Sequence, residues 1–435
     1  MLTTKRTCVI AVALLIASFS VCLSSAAHAY SLAKSYQAAG SITYSTVDGN
    51  IAYEPAGTDG LYAFDITDPA NFTLLDHYQL TGESLVRAVA SGNRLYVTDE
   101  KYGVRIFGIT DPANMSLIGG YQYSGNPYMA WGLAVKDNYL YYTPWGQPTQ
   151  ILNVTDPANV SLAGTYALKY DAGVSCGVMT TKIIGDIMYY GYSYGGFRTV
   201  SLADPVHPDY LDGVMFNPEA DNNTFFVDNG YAYIAGGDYG FHIVDVHDPS
   251  NIFTVFTHDW NVNLVYDGGY KIALSPKFDG GKQFLFGWEG WNGGNKMHVW
   301  DVTDPTNPFE VDVYNRIDLI HDFGYGVEYY KGYIIAGSIY AHTFDVIDVT
   351  DYQIPEPASL VLAATALLGV LSRRPLAHGL RSLLRRQTSF PGVLRHGSSQ
   401  PCFFALAYYV VCLSAGVNGL LADIIGGSIS WRDGV

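Results

Sequence analysis

The chain has 435 residues, of which 49% are hydrophobic, so it is long enough to bury a large core. Its 35 tyrosines and 46 glycines favour pleated strands joined by many turns. Residues 30–372 contain 15 basic and 38 acidic residues, a net charge of −23. This charge excludes nucleic acid and anionic lipid headgroups as partners of that part, and it favours a cation, a basic protein or a neutral glycan.

The N-terminus has the features of a secretory signal peptide. Two basic residues, an apolar run and two small residues follow one another, namely Lys5, Arg6, residues 8–23, Ala27 and Ala29. Small residues at the last two positions are what a signal peptidase reads, so we expect cleavage before Tyr30 and removal of residues 1–29. The alternative is an uncleaved anchor helix, for which the apolar run is short.

One sequence motif, here called the Asp-Pro phrase, recurs along the middle of the chain. Three close copies read Ile-Thr-Asp-Pro-Ala-Asn or Val-Thr-Asp-Pro-Ala-Asn, three looser copies keep Asp-Pro, and the last keeps Val-Thr-Asp but lacks the proline. The seven aspartates are Asp68, Asp111, Asp156, Asp204, Asp248, Asp304 and Asp351. Aspartate accepts hydrogen bonds from the backbone N–H groups that follow, and proline fixes φ, so the phrase predicts a structural turn.

A second marker keeps the same period. A two-residue hairpin signal stands 19 residues before the turn aspartate in each of the first five units. The second unit is predicted to hold strands over residues 74–80, 86–90, 95–98 and 104–109. A unit of about 45 residues with four strands matches a propeller blade.

The sequence therefore predicts an all-β fold, a β-propeller of seven four-stranded blades over residues 30–352. We expect one blade to be completed from both ends of the body. An early strand within residues 31–44 would join the last strand, within residues 343–349, and close the ring.

The strand before each turn resembles that of the LVIVD-repeat family. The best matches are residues 241–246, Phe-His-Ile-Val-Asp-Val, and residues 104–107, Val-Arg-Ile-Phe. The resemblance covers about residues 40–351. It implies a propeller on bacterial surface or exported proteins, and it implies no single activity.

A second targeting signal follows the repeats, after the signal peptide at the N-terminus. Its components in order are Pro355, Glu356, Pro357, an apolar run over residues 358–371, Arg373 and Arg374. Over residues 354–374 this order resembles the sorting tail of PEP-CTERM proteins, which exosortase enzymes process. The prolines keep the junction extended, and an apolar run shorter than the roughly 20 residues of a full span suits a temporary membrane hold. The resemblance implies exosortase-type sorting machinery as a partner and membrane contact through this segment.

The last part of the chain departs from that family. PEP-CTERM proteins normally end soon after the arginines, whereas residues 375–435 continue here, basic at first and apolar from residue 402 to residue 421. Two interpretations stay open, a disordered or artefactual extension and a membrane-associated segment.

No recurring catalytic pattern occurs in the sequence, so we assign no catalytic residue and no metal ligand. The aspartates are periodic turn residues first, and a calcium ion in a central channel is kept as an alternative cofactor. His258 and His321 each precede an aspartate between strands, and we interpret them as scattered loop histidines rather than as an acid–base or metal site.

The sixth unit carries the best candidate for ligand binding. Residues 287–295 are rich in glycine and include Trp288 and Trp291, which predicts an exposed aromatic loop. Such tryptophans stack on a sugar ring or anchor a protein partner. The alternative is packing against the adjacent blade.

These observations predict an exported propeller on the cell surface or in the extracellular matrix. It would act as a non-enzymatic binding module for an extracellular protein or glycan. The competing class is an extracytoplasmic hydrolase or lyase built on propeller loops, because propellers host both. Clustered His, Asp and Glu at one channel mouth would favour the enzyme, and an aromatic or acidic face would favour binding.

Overall fold

The structure, a computed structural model, describes residues 31–79, 81–167, 177–193, 196–216, 224–236, 240–258, 271–278, 281–288, 296–315, 323–339 and 341–353. The predicted signal peptide, with Ala27 and Ala29, lies outside these residues. So do Trp291, His321, the sorting motif with its arginines, and the tail from residue 375. Within the described residues, no helix is long and apolar enough to cross a membrane.

The described strands form seven antiparallel sheets of four strands each. The chain begins with β1 (Ser31–Gln37) and then builds the blades in order. Blade 1 contains β2 (Thr46–Asp48), β3 (Ile51–Pro55), β4 (Leu61–Asp65) and β5 (Thr73–Tyr78). Blade 2 contains β6 (Leu85–Ser91), β7 (Arg94–Asp99), β8 (Gly103–Gly108) and β9 (Ser116–Gln122). Blade 3 contains β10 (Gly132–Lys136), β11 (Tyr139–Thr143), β12 (Thr149–Asn153) and β13 (Ser161–Tyr166).

The remaining blades follow the same plan. Blade 4 contains β14 (Val178–Ile184), β15 (Ile187–Tyr192), β16 (Gly196–Ser201) and β17 (Asp209–Met215). Blade 5 contains β18 (Phe225–Asp228), β19 (Tyr231–Ala235), β20 (Phe241–Asp245) and β21 (Phe253–His258). Blade 6 contains β22 (Lys271–Leu274), β23 (Phe284–Trp288), β24 (Lys296–Asp301) and β25 (Phe309–Asn315). Blade 7 contains β26 (Phe323–Tyr330), β27 (Tyr333–Ser338), β28 (Thr343–Asp348) and, at its outer edge, β1. Short 3-10 turns lie at Pro69–Asn71, Pro157–Asn159 and Thr350–Gln353.

The blade is one strand out of phase with the sequence unit. Residues 74–80 were expected to open the second unit, but Thr73–Tyr78 is the outer strand of blade 1, paired with β4. The reason is that the Asp-Pro turn reverses the chain within a blade, between its third and outer strands, and does not pass it to the next blade. The three inner strands of the second unit lie close to where the sequence places them.

Ring closure follows from the same phase. Because each outer strand comes after the turn, blade 7 lacks one until β1 pairs antiparallel with β28, from Ser31 opposite Asp348 to Gln37 opposite Thr343. This confirms the predicted closure from both ends and the count of seven blades.

The core lies between the blades. Seven clusters of buried residues each combine two neighbouring sheets. At the junction of blades 7 and 1, for example, the Phe344 ring stacks on Phe64 at 4.6 Å between centroids, and its edge meets Phe72 at 4.9 Å. Alternate residues of each strand face the two neighbours, so every described blade is buried on both sides.

Two backbone features recur around the ring. The pairing of third and outer strands shifts register once in all seven sheets, as between Ile106 and Phe107, and such a bulge increases the local twist. The predicted two-residue hairpins are confirmed in six blades. Their first loop residue is left-handed, with φ of 59° at Gly49, 60° at Gly92, 53° at Asp137, 59° at Gly185, 47° at Asn229 and 49° at Lys331.

The Asp-Pro phrase acts as the turn that the sequence predicts. The Ala113 N–H donates to Asp111 Oδ1 at 3.1 Å, and the Asn114 N–H donates to the Asp111 carbonyl at 3.0 Å. In blade 3, the Asn159 side-chain amide also donates to Asp156 Oδ2 at 2.7 Å. The asparagine that ends the phrase therefore braces the turn.

Replacing Asp111 tests this role. Asp111→Ala removes a side-chain acceptor, so the free energy of unfolding should fall by about 1 kcal/mol in urea denaturation. Asp48→Ala is the matched control, because Asp48 is an exposed hairpin aspartate whose side chain accepts no hydrogen bond from the described residues. Equal losses from the two variants would contradict the turn assignment.

Candidate functional site

The ring has two unlike ends. At one, here called the turn end, lie the first-to-second-strand hairpins and the Asp-Pro turns. At the other, the loop end, the second strand connects to the third and the outer strand connects to the next blade. Ser31 lies opposite Asp348, and Thr350–Gln353 takes the place of an Asp-Pro turn, so both termini of the described body lie at the turn end.

A carboxylate pair lies at the loop end of blade 2. Asp99, which ends β7, has no exposed surface and accepts hydrogen bonds from the backbone N–H groups of Ser84 at 3.2 Å and Lys101 at 2.9 Å. Arg105 Nε donates to Asp99 Oδ2 at 3.2 Å, and Arg105 Nη2 forms an ion pair with Glu83. One arginine thus holds two carboxylates together.

The two carboxylates titrate very differently. Burial, and then the nearby Asp99, raise the pKa of Glu83 to about 7 despite the opposing Arg105. Burial works to raise the pKa of Asp99 as well, but hydrogen bonds from Glu83, two backbone N–H groups and Arg105 outweigh it and lower that pKa. The raised pKa of Glu83 beside the lowered pKa of Asp99 favours a protonated Glu83 next to an ionised Asp99.

Aromatic side chains adjoin this pair. The Arg105 guanidinium lies 3.5 Å from the centroid of the Tyr102 ring. Glu100 accepts from Ser84 Oγ at 3.2 Å and from the Met129 N–H at 3.4 Å, which ties blade 2 to the segment leading into blade 3. The neighbouring Tyr128 is 54% exposed.

Blade 3 completes this surface. Trp131 precedes β10, and Trp145 lies between β11 and β12, with their rings edge to face at 5.6 Å. Trp131 is buried and Trp145 is half-buried. We call the surface formed by Glu83, Glu100, Tyr102, Tyr128 and Trp145 the loop face.

The central channel is crossed by side chains. The Tyr44 hydroxyl donates to the Met179 carbonyl at 3.1 Å, and Arg87 Nη1 donates to the same oxygen at 3.1 Å and to Thr180 Oγ1 at 3.4 Å. Tyr44 precedes blade 1, Arg87 belongs to blade 2, and both acceptors belong to blade 4, so these bonds span the channel rather than join adjacent blades. An apolar cluster that includes Trp131 and Val86 surrounds them.

Further ionisable groups line the same channel. Glu54 has no exposed surface and accepts from Ser45 Oγ at 2.9 Å, and burial raises its pKa well above the ordinary value. Burial also raises the pKa of Glu328 and lowers that of Lys182, against the attraction between these two charges.

Trp288 does not lie where the sequence analysis expected it. It ends β23, is 7% exposed, and packs between blades 6 and 7 with residues such as Met297 and Val327. The exposed-loop expectation is therefore wrong for Trp288, because the strand extends to this residue and the ring fills the interblade core. A ligand-binding role for Trp291 stays a prediction.

The described residues provide no group of three or more His, Cys, Asp and Glu side chains placed to hold a metal ion. His258 lies against Trp300, with 4.4 Å between ring centroids. The calcium alternative thus gains no ligand set in this part of the chain.

Sequence reasoning missed both the loop-face carboxylates and the channel network. Arg87 had a usable signal, since it interrupts the apolar run Leu85–Ser91 of an inner strand, where a charge must find a partner. Glu83 and Asp99 gave none, because they are 16 residues apart and meet only through the pairing of β6 with β7.

Comparison with solved structures defines the class. The chain is similar to the β-propeller domain of Myceliophteria thermophila Cps50 (Swd1), with a TM-score of 0.55 and 10% identity over 74% of this chain and 100% of that one. It is also similar to a chain of the Mitotic Checkpoint Complex, with a TM-score of 0.54 and 11% identity over 73% and 91% of the two chains. At such identities the likeness shows the fold alone, a β-propeller. No curated protein matches the chain.

Family comparison adds the repeat and the sorting signal. The LVIVD repeat matches residues 87–122, 128–167 and 225–259, which correspond to blades 2, 3 and 5. The PEP-CTERM protein-sorting motif matches residues 353–374. The chain is thus a β-propeller that carries three LVIVD repeats and a PEP-CTERM sorting motif, which marks it as an exported protein with a C-terminal membrane-associated segment.

The raised pKa of Glu83 predicts a pH dependence. The folded state raises the pKa of Glu83 to about 7, above the unfolded value, so it binds the proton more tightly, and this stabilisation is lost as pH rises from about 4.5 through 7. Glu83→Gln keeps a hydrogen-bonding group but cannot ionise. Between pH 5 and pH 8, the free energy of unfolding in urea should drop further for the wild type than for Glu83→Gln, by up to about 2 kcal/mol. Equal drops would show that folding does not raise the pKa of Glu83.

Proposed function

We propose that the protein is a non-enzymatic binding module, processed by exosortase-type machinery, whose loop face binds an extracellular protein or glycan at the cell surface or in the matrix. The observation that carries this proposal is the placement of the two ends. The described body ends at Gln353, at the turn end of the ring, and the sorting motif follows in the sequence, while the loop face lies at the opposite end of the ring. A tether that begins after Gln353 would leave the loop face free.

The internal bonds of the loop face support a preformed binding surface. Asp99, Arg105 and Glu100 are held by the hydrogen bonds described above, so the acidic groups keep their positions without a ligand. A surface that is already ordered loses little entropy on binding. The exposed Tyr128 ring and the half-buried Trp145 ring supply apolar contact area beside it.

The charge of the chain restricts the class of ligand. Its net charge of −16 suits a neutral glycan or a basic protein. A sugar ring stacked on Tyr128 would place its hydroxyl groups within reach of Glu100, which accepts hydrogen bonds.

One observation favours the competing class, a hydrolase or lyase. A carboxyl group with a pKa of about 7 beside an ionised aspartate is the pairing that general acid–base catalysis uses. The Glu83→Gln variant separates the two functions through turnover. Conversion of a bound ligand by the wild type that is lost in Glu83→Gln would favour the enzyme, whereas a ligand recovered intact from the wild type would favour the binding module.

The binding proposal predicts a local effect. After a glycan and protein array identifies a ligand of the purified protein, Tyr128→Ala should weaken its affinity about tenfold, measured by calorimetry. Leu162→Ala is the matched control, because Leu162 is similarly exposed, at 50%, but lies on the outer strand β13. Unchanged affinity for Tyr128→Ala, or an equal loss for Leu162→Ala, would place the site elsewhere.

A further inference from the structure

Three charged side chains from separate blades line one stretch of the central channel. They are Arg87 on β6 of blade 2, Lys182 on β14 of blade 4 and Glu328 on β26 of blade 7. Each alters the titration of another, so they lie within electrostatic reach. No ion pair joins any two of them, and therefore a gap separates charges that attract one another.

The two cations keep hydrogen-bonding capacity. Arg87 uses Nη1 for its two bonds to blade 4, and it also has a side-chain hydrogen bond with Tyr44, which leaves some of its five N–H donors for a ligand. Lys182 Nζ lies 4.0 Å from the centroid of the Phe226 ring and likewise makes no hydrogen bond or ion pair with a described residue. Desolvated cations with unused N–H donors bind anions strongly.

The charge balance of this stretch is positive. Glu54 lies fully buried near Glu328, and burial raises its pKa well above the ordinary value, which favours the uncharged carboxyl. Of the three described groups, two are then cations, Arg87 and Lys182, and one is a carboxylate, Glu328. A positive lumen inside a chain of net charge −16 attracts an anion that the outer surface repels.

Exposure shows how a ligand reaches the gap. Arg87 is 8% exposed, whereas Lys182 and Glu328 are half-buried and lie three residues before the hairpins at Gly185 and Lys331. Towards the loop end, Tyr44 and its apolar neighbours cross the channel. The channel is therefore more open at the turn end.

We propose that the central channel binds a small carboxylate-bearing ligand that pairs with Arg87 and with Lys182. The planar guanidinium matches a carboxylate in a two-point contact. A ligand that also carries an ammonium group, such as an α-amino acid, gains a second contact with Glu328. This site is separate from the loop face and does not rest on its function.

Calorimetry on the full-length protein at constant ionic strength tests the proposal with four probes, namely sodium acetate, glycine, methylammonium chloride and sodium chloride. Acetate should bind saturably at millimolar concentration, and methylammonium and chloride should not. Lys182→Met should weaken acetate binding at least tenfold. Lys136→Met is the matched control, since Lys136 is also on an inner strand but pairs with Asp186 at 2.9 Å, and it should leave the affinity unchanged.

Glu328→Gln distinguishes the two kinds of carboxylate ligand. It removes a repulsive charge, so acetate should bind more tightly, and any preference for glycine over acetate should disappear. The absence of saturable acetate binding, chloride binding equal to that of acetate, or an unchanged affinity in Lys182→Met would each overturn the proposal.

Discussion

The pairing of β1 with β28 is the constraint on which the rest of the structure depends. A ring of sheets closes only if the two ends of the body meet in one blade, and here the first strand completes the last sheet along its whole length. Closure also fixes where the chain leaves the ring. Both ends of the described body lie at the turn end, so the loop face is at the far end of the ring from them.

Packing between blades makes closure favourable. Each junction buries aromatic and aliphatic side chains from two sheets, as Phe344 does against Phe64 and Phe72. Tyr44 and Arg87 then donate hydrogen bonds across the channel to blade 4, and these bonds link blades that are not neighbours in the ring. Burying the charge of Arg87 costs free energy that these hydrogen bonds and the Tyr44 ring, 4.6 Å away, offset.

Local signals explain what the sequence could predict. The Asp-Pro turns and the two-residue hairpins are set by neighbouring residues, and their spacing gives seven blades. Which strands form one blade is not set by neighbouring residues, because Thr73–Tyr78 pairs with β4, the strand before the turn, only once the turn has formed. The burial of Trp288 depends on the contact of blades 6 and 7, and the Glu83–Asp99 pair depends on strand pairing. Sequence spacing carries none of these three contacts, which all arise from tertiary structure.

Hydrogen exchange at the closing strand tests the account most directly. If β1 closes the ring, the backbone amides of Ser31–Gln37 that bond to β28 should exchange as slowly as those of Thr343–Asp348, because both open only when the ring opens. Fast exchange throughout Ser31–Gln37, with protection retained in Thr343–Asp348, would contradict closure by β1. It would also remove the basis for placing both chain ends opposite the loop face.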